Sequence, residues 1–295
     1  MAKDIVVNVI GLDTSHSIEY PRRMQAPDCA PELKVPGLRV NRCLRFETPF
    51  QNKDGLDQRQ KQLEAWGIKV TDKFDEAVKD CDALMLEVND PAYHVEYFKK
   101  CAGLGKPIFL DKPLADTTAN GREIVRIAKE TKVRFLSASS LRFVPQLLAA
   151  CAIIPKPAMA SVYGALGKAP AGSSIVWYGV HACEMLQRAL GRGAVAVETK
   201  KDALGVTLIV RYPDERRGIV ELNEGSWIYG GCLRMKDKAA PFVVDMTRAY
   251  TDELIEVLKF FRGETPTLAI EDTLEVMGLL DAAERSLRSG KEETL

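Results

Sequence analysis

Histidine is scarce in this chain: only His16, His94 and His181 occur among 295 residues. So few imidazoles leave little material for a metal centre, and none is expected. The seven cysteines are odd in number and include no Cys-x-x-Cys pair. That argues against a disulfide framework or a thiolate zinc site and for reduced thiols in a cytoplasm. No window approaches the roughly 18 apolar residues that a membrane span requires. The apolar run Ile5 to Ile10 is too short for a signal peptide and reads as a first strand. Net charge is also missing, because 41 Lys and Arg balance 41 Asp and Glu. A nucleic-acid footprint needs a basic excess or patch, so neither nucleic acid nor membrane is an expected partner. Repeats and low-complexity tracts are absent as well.

What is present is an ordinary globular composition, 46% apolar and 28% charged. The length suffices for two domains. Up to residue 140, short apolar runs alternate with helical patterns, the signature of parallel βαβ units. Strands are expected at Ile5 to Ile10, Gly37 to Phe46, Ile68 to Val70, Ala83 to Val88, Pro107 to Leu110 and Val133 to Ser137. Helices fall between them, at Gln58 to Trp66, Asp75 to Lys79, Tyr93 to Leu104 and Thr118 to Thr131. Residues 21 to 36 read as an insertion, and Thr48 to Asp57 as a mobile polar loop. From 141 to 295 the pattern changes to successive short alternating segments, from Ala158 to Leu166 through Pro241 to Asp245. Helices at Thr251 to Phe261 and Glu271 to Ser289 close the chain. The fold class is therefore α/β: an N-terminal Rossmann domain with a doubly wound parallel sheet, then an α+β domain with a mostly antiparallel open sheet.

The first strand runs into Gly11-Leu12-Asp13-Thr14-Ser15-His16. A dinucleotide fingerprint wants Gly-x-Gly-x-x-Gly at such a place. Gly11 supplies the first glycine, Asp13 stands at the second and His16 at the third. At the second position Asp13 would bring a negative charge toward a pyrophosphate. Weak cofactor binding that Asp13→Gly tightens is the corresponding expectation. Thr14 and Ser15 offer hydroxyl donors, and a helix N-terminus favours an anion. The plain alternative makes Asp13 or Thr14 a helix N-cap. His16 reads equally as a phosphate or substrate contact and as a first-turn residue. After the second strand, Glu47 could hold ribose hydroxyls and Arg45 a 2′-phosphate, or both could be solvated.

Asp111-Lys112-Pro113-Leu114 follows a buried strand, where an open α/β sheet binds its ligands. The run from Asp75 to Pro145 resembles the glucose-fructose oxidoreductase / inositol dehydrogenase / rhizopine-catabolism family (Gfo/Idh/MocA). That family carries Glu-Lys-Pro here, and its Lys works in hydride transfer at a sugar hydroxyl. Asn89-Asp90-Pro91-Ala92-Tyr93-His94 is similar to the family's turn and His, which makes Asn89, Asp90 and His94 cofactor- or cleft-facing. An N-cap role for Asp90 stands beside that. Ser140-Leu141-Arg142-Phe143-Val144-Pro145 resembles Asn-x-Arg-Phe-x-Pro, with Ser140 replacing the Asn. Arg142 is either substrate-facing or a salt-bridged hinge residue.

Trp177-Tyr178-Gly179-Val180-His181-Ala182-Cys183-Glu184 looks like the family's Asp-x-Gly-x-His-x-x-Asp helix start. Trp177 stands where the family often has Asp, and Tyr178 could donate the proton instead. His181, Glu184 and Arg188 share a helical stripe, which read alone is only a solvated face. Gly263 to Pro266 and Ser289-Gly290-Lys291 resemble the family's closing segments.

The resemblance implies an oxidoreductase using NAD or NADP on a sugar, polyol or cyclitol. Lys112, His181 and Tyr178 would be catalytic. Gly11, Asp13, Thr14, Ser15, His16, Glu47, Asn89, His94 and Asp111 would line the cofactor together with Lys112. Arg142, Trp177 and Glu184 would meet the substrate, and a homodimer or homotetramer is expected. Two other readings stay open: a redox-silent binding or regulatory relative, and a non-redox sugar lyase or glycosidase that uses NAD transiently.

Overall fold

A computed structural model describes residues 3–295. It divides into two compact units. The first comprises the chain up to Ala115, Ala119–Ser137 and Tyr250–Leu268. The second comprises Asp116–Thr118, Ala138–Ala249 and Ala269–Leu295. The boundary expected near 140 thus falls at Ser137, and the chain later returns to the first unit.

The first unit holds strands β1 (Ile5–Ile10), β2 (Leu38–Leu44), β3 (Lys69–Thr71), β4 (Ala83–Leu86), β5 (Ile108–Asp111) and β6 (Phe135–Ala138). Their order in the sheet is β3-β2-β1-β4-β5-β6. This is the doubly wound arrangement whose ligands lie beyond the carboxyl ends of the strands, where the order reverses. Helices α1 (His16–Gln25), α2 (Lys53–Ala65), α3 (Phe74–Ala77), α4 (His94–Ala102) and α5 (Thr118–Thr131) connect the strands. Strand β4 is buried at every position, as a central strand covered on both faces must be.

Asn8 is the polar exception within β1. Its amide donates to Ala77 O and Lys79 O, at 2.7 Å each, and its carbonyl oxygen accepts from Arg42 N at 3.1 Å. The β1–β2 register shifts at this residue, between Val7 and Asn8. Gly11 ends the strand with φ +107°, where a Cβ would lie 2.5 Å from Glu87 O. Only glycine fits so close a crossing.

Local chemistry explains two differences from the sequence reading. The segment expected to be a mobile loop is half helix: α2 begins at Lys53 because the Asn52 side chain caps it, accepting from Gly55 N at 3.0 Å. The apparent insertion holds the second half of α1, up to Gln25, and a short 3₁₀ turn at Pro31–Leu33.

The second unit contains α6 (Pro145–Ile153), β7 (Met159–Ala165), α7 (Ser174–Trp177), α8 (Gly179–Leu190) and strands β8 (Ala196–Lys201), β9 (Gly205–Arg211), β10 (Arg217–Asn223), β11 (Gly230–Met235), β12 (Lys238–Val243) and β13 (Glu293–Thr294). Helix α9 (Ala249–Phe261) belongs to the first unit from Tyr250 onward, while α10 (Ile270–Ser289) lies in the second. The sheet order is β12-β11-β7-β10-β9-β8-β13, with only β7 and β10 parallel. Among the described residues no helix is long and apolar enough to cross a membrane.

Candidate functional site

Three strand ends of the first unit carry its polar residues. Thr14 Oγ1 accepts from His16 N at 3.2 Å in a local turn before α1, while Ser15, the helix N-cap, stays exposed beside it. Asp13 does not face outward. It is buried, its Oδ1 accepts from Asn89 N at 2.9 Å, and its Oδ2 accepts from Thr48 Oγ1 at 2.7 Å. Burial pushes its carboxyl above the usual carboxylate range although both hydrogen bonds pull it down. The expected clash with a pyrophosphate is thereby corrected: the carboxylate braces the loop from within, and Asn89 is part of the brace.

His16 turns inward as well. Its Nδ1 lies 2.8 Å from Asp111 Oδ2, and its ring meets Tyr20 and Tyr250 edge-on at 5.3 and 4.9 Å. Glu87, immediately after β4, is fully buried beside them. Burial, then the charge of Asp111, drives the Glu87 carboxyl well above its ordinary range. Burial also pushes Asp111 up, but His16 and Lys112 outweigh it and hold that carboxyl low. Tyr20 donates to Glu253 Oε2 at 2.5 Å. Lys112 itself is buried, with 5% of its surface exposed, just beyond the carboxyl end of β5.

His94 is not available to a cofactor. Its ring is fully buried, with Nε2 2.7 Å from Val88 O and Nδ1 3.2 Å from Leu114 O. It ties the end of β4 to the segment after β5. Asp90 caps the following 3₁₀ turn by accepting from Ala92 N at 3.1 Å. Glu47 is exposed on the rim of a cavity of about 590 Å³ beyond β2, which Arg45, Phe46, Gln60 and Thr71 also line. Arg45 is held there by Asp57 at 2.7 Å.

These residues fit a dinucleotide at its phosphate and adenosine ends. Gly11 lets the backbone approach closely, α1 starts beside it and a helix N-terminus favours an anion, and the cavity beside Glu47 can take a nucleoside. Asp13, the residue that spoke against such a ligand, keeps its carboxylate in the protein.

In the second unit His181 lies in the first turn of α8. Its Nδ1 is 2.7 Å from Ser139 Oγ, which also accepts from Leu141 N at 3.2 Å. Glu184, one turn on, is buried against Arg142: Nη1 to Oε2 is 2.7 Å. Arg142 Nη2 also donates to Gln187 Oε1 at 2.6 Å. Burial raises the Glu184 carboxyl, while Arg142 opposes the shift. The expected solvated stripe is therefore wrong for His181 and Glu184; only Arg188 of the three is exposed. The substrate roles expected of Arg142 and Glu184 give way to a buried ion pair that anchors α8.

Aromatic rings surround His181. Tyr178 and Tyr229 meet it edge-on at 5.6 and 5.9 Å, and Tyr178 in turn contacts Trp177 at 4.4 Å and Trp227 at 5.2 Å. Burial raises the Tyr178 phenol, keeping it protonated near neutrality. Trp227 is 59% exposed and lines, with Gly167, Lys168, Lys201 and Glu284, a cavity of about 540 Å³.

Sequence reasoning missed Ser139, Glu87, Trp227 and Tyr229 as site residues. An acid ending the apolar run Ala83-Leu84-Met85-Leu86 was the one available signal for Glu87. Nothing local marked the other three; only the fold brings Ser139 and Tyr229 to His181 and Trp227 to Tyr178.

Residues 53–139 match a family model described as the oxidoreductase family with an NAD-binding Rossmann fold. No curated protein matches the chain. Among solved structures, it is similar over its whole length to GenD2 from gentamicin A biosynthesis, in complex with NAD (TM-score 0.81, 15% identity, 100% of this chain and 97% of that one). Scyllo-inositol dehydrogenase from Lactobacillus casei, with bound NAD(H) and scyllo-inositol, gives a TM-score of 0.80 at 12% identity, covering 99% of each chain. Myo-inositol 2-dehydrogenase from Lactobacillus plantarum gives 0.79 at 13%, covering 99% of this chain and 100% of that one. Identities this low establish a shared fold.

Proposed function

We propose that the chain, whose residues 53–139 match the Gfo/Idh/MocA oxidoreductase model, transfers hydride between a nicotinamide cofactor and a hydroxyl carbon of a sugar, polyol or cyclitol. The observation that carries this reading is Lys112, buried just past β5 at the carboxyl edge of the doubly wound sheet. There its ammonium can donate to a substrate oxygen and stabilise the charge that develops on it.

Bound nicotinamide would supply the hydride acceptor. Gly11, the first turn of α1 and Glu47 would hold its dinucleotide. Glu47 is exposed and Arg45 is engaged by Asp57, which favours NAD over NADP. A 2′-phosphate would meet the Glu47 carboxylate and find its natural partner occupied.

His181 moves the hydroxyl proton. When Nδ1–H donates to Ser139 Oγ, Nε2 carries a lone pair and accepts the proton from the substrate. When Ser139 donates to Nδ1, Nε2–H can return it. A single Ser–His contact thus serves either direction of the reaction. Tyr178, neutral near pH 7, is the second donor. Trp177 and Trp227 offer aromatic faces for the C–H faces of a carbohydrate ring. Arg142 and Glu184 hold α8 in place. A homodimer or homotetramer would bury the exposed Val243 and Ile228 of the second unit.

Fluorescence titration with NADH and NADPH, followed by dehydrogenase assays over polyols and cyclitols, tests the reading. Lys112→Ala should lower turnover at least 10²-fold, the low end of a general acid–base contribution. No nucleotide binding would favour the redox-silent alternative; binding without net turnover would favour the lyase. Unchanged turnover in folded Lys112→Ala would remove Lys112 from the mechanism.

A further inference from the structure

The first residue of α1, the residue after β4 and the last residue of β5 meet at the carboxyl edge of the sheet. They are His16, Glu87 and Asp111, all buried, and each offers a ligand atom within 4.8 Å of the others'. One imidazole and two carboxylates form a donor set suited to divalent first-row metals. The set converges from three separate strand ends, so a cation there would tie the glycine turn to β4 and β5.

Glu87 supplies the independent sign of a ligand. It has no exposed surface, and neither carboxylate oxygen has a hydrogen-bond partner. Buried polar groups are almost always satisfied, and each exception calls for an explanation such as an ion. Bonds of about 2.0–2.2 Å to N and O ligands would draw the three side chains slightly closer.

We propose that His16, Glu87 and Asp111 form a site for a divalent transition-metal cation of the Zn²⁺ or Mn²⁺ class. The site goes beyond the hydride-transfer reading and does not depend on it.

The test uses the full chain, free of any affinity tag, after dialysis against EDTA. ZnCl₂ and MnCl₂ are titrated calorimetrically without nucleotide, so failure of the dehydrogenase reading leaves the result untouched. One equivalent should bind in the micromolar range or tighter and raise Tm. Glu87→Gln, which keeps the shape of the acid, should weaken binding at least 10-fold. His16→Gln provides a second variant should Glu87→Gln fold poorly. Co²⁺ reports on the wild type directly: ligation by N and O gives d–d bands without a thiolate-to-cobalt charge-transfer band. The absence of saturable stoichiometric binding would overturn the site. So would a strong thiolate band, which points to the cysteines, or unchanged affinity in either folded variant.

Discussion

Ser139 Oγ lies 2.7 Å from Nδ1 of His181, so a hydroxyl just past β6 orients an imidazole 42 positions later in either tautomer. Ser139→Ala removes that partner and leaves the ring free to turn. A hydrogen bond of about 1 kcal/mol corresponds to nearly tenfold in rate. Turnover should fall by about that factor with KM little changed. Steady-state kinetics checks both. A loss confined to stability would leave Ser139 with a structural role only.

The buried Arg142–Glu184 pair invites a different experiment. Removing one partner strands a charge in the interior, so Glu184→Ala should cost about 3–5 kcal/mol in urea unfolding. Glu184→Gln retains a hydrogen-bond acceptor and should cost less.

Glu184 also gives a pH dependence with a definite sign. Burial raises its folded-state carboxyl above the ordinary 4.5, so the folded chain holds this proton more tightly than the unfolded chain. Its contribution to stability is complete below pH 4.5 and is lost as pH rises through the folded value. The stability of the wild type relative to Glu184→Gln should therefore decline from acid toward neutral pH. Denaturant titrations of both proteins across that interval measure the difference; a rising difference would contradict the assignment.

Asp13→Gly restores the fingerprint glycine, yet it should weaken NADH binding. It deletes the acceptor for Asn89 N and Thr48 Oγ1, two partly buried hydrogen bonds whose loss costs about 0.5–1.5 kcal/mol each. Asp13→Asn keeps one acceptor and should lie between. Parallel fluorescence titrations and melting curves decide it. Tighter binding by the glycine variant would return Asp13 to the pyrophosphate.

Glu47 should set the choice of nucleotide. Glu47→Ser removes the charge that opposes a 2′-phosphate, and an exposed charge contributes up to about 1 kcal/mol. The NADH-over-NADPH preference should narrow by roughly fivefold, read as a ratio of dissociation constants. An unchanged ratio would place the ribose elsewhere.

Periodicity alone determined much of this protein. Strand β4, Ala83-Leu84-Met85-Leu86, declares itself as a run of apolar residues because a central parallel strand is buried on both faces. The change to alternating segments past residue 140 announced the second sheet for the same reason. The positions of Lys112 and His181 were legible because each sits in a short local motif at an element's end. Tertiary structure decided where side chains point and what they meet. Asp13 read as a charge aimed at a phosphate, but its direction depends on Asn89, 76 positions away. Helix α9 read as part of the second domain, but from Tyr250 it belongs to the first unit, with Thr251 Oγ1 donating to Leu33 O at 2.9 Å. The three histidines stand far apart in the sequence, yet chain crossing sets His16 beside Glu87 and Asp111. A one-dimensional pattern records burial, because burial repeats with the geometry of helix and strand. Pairings between residues far apart in the chain have no period and arise only when the strands are laid side by side.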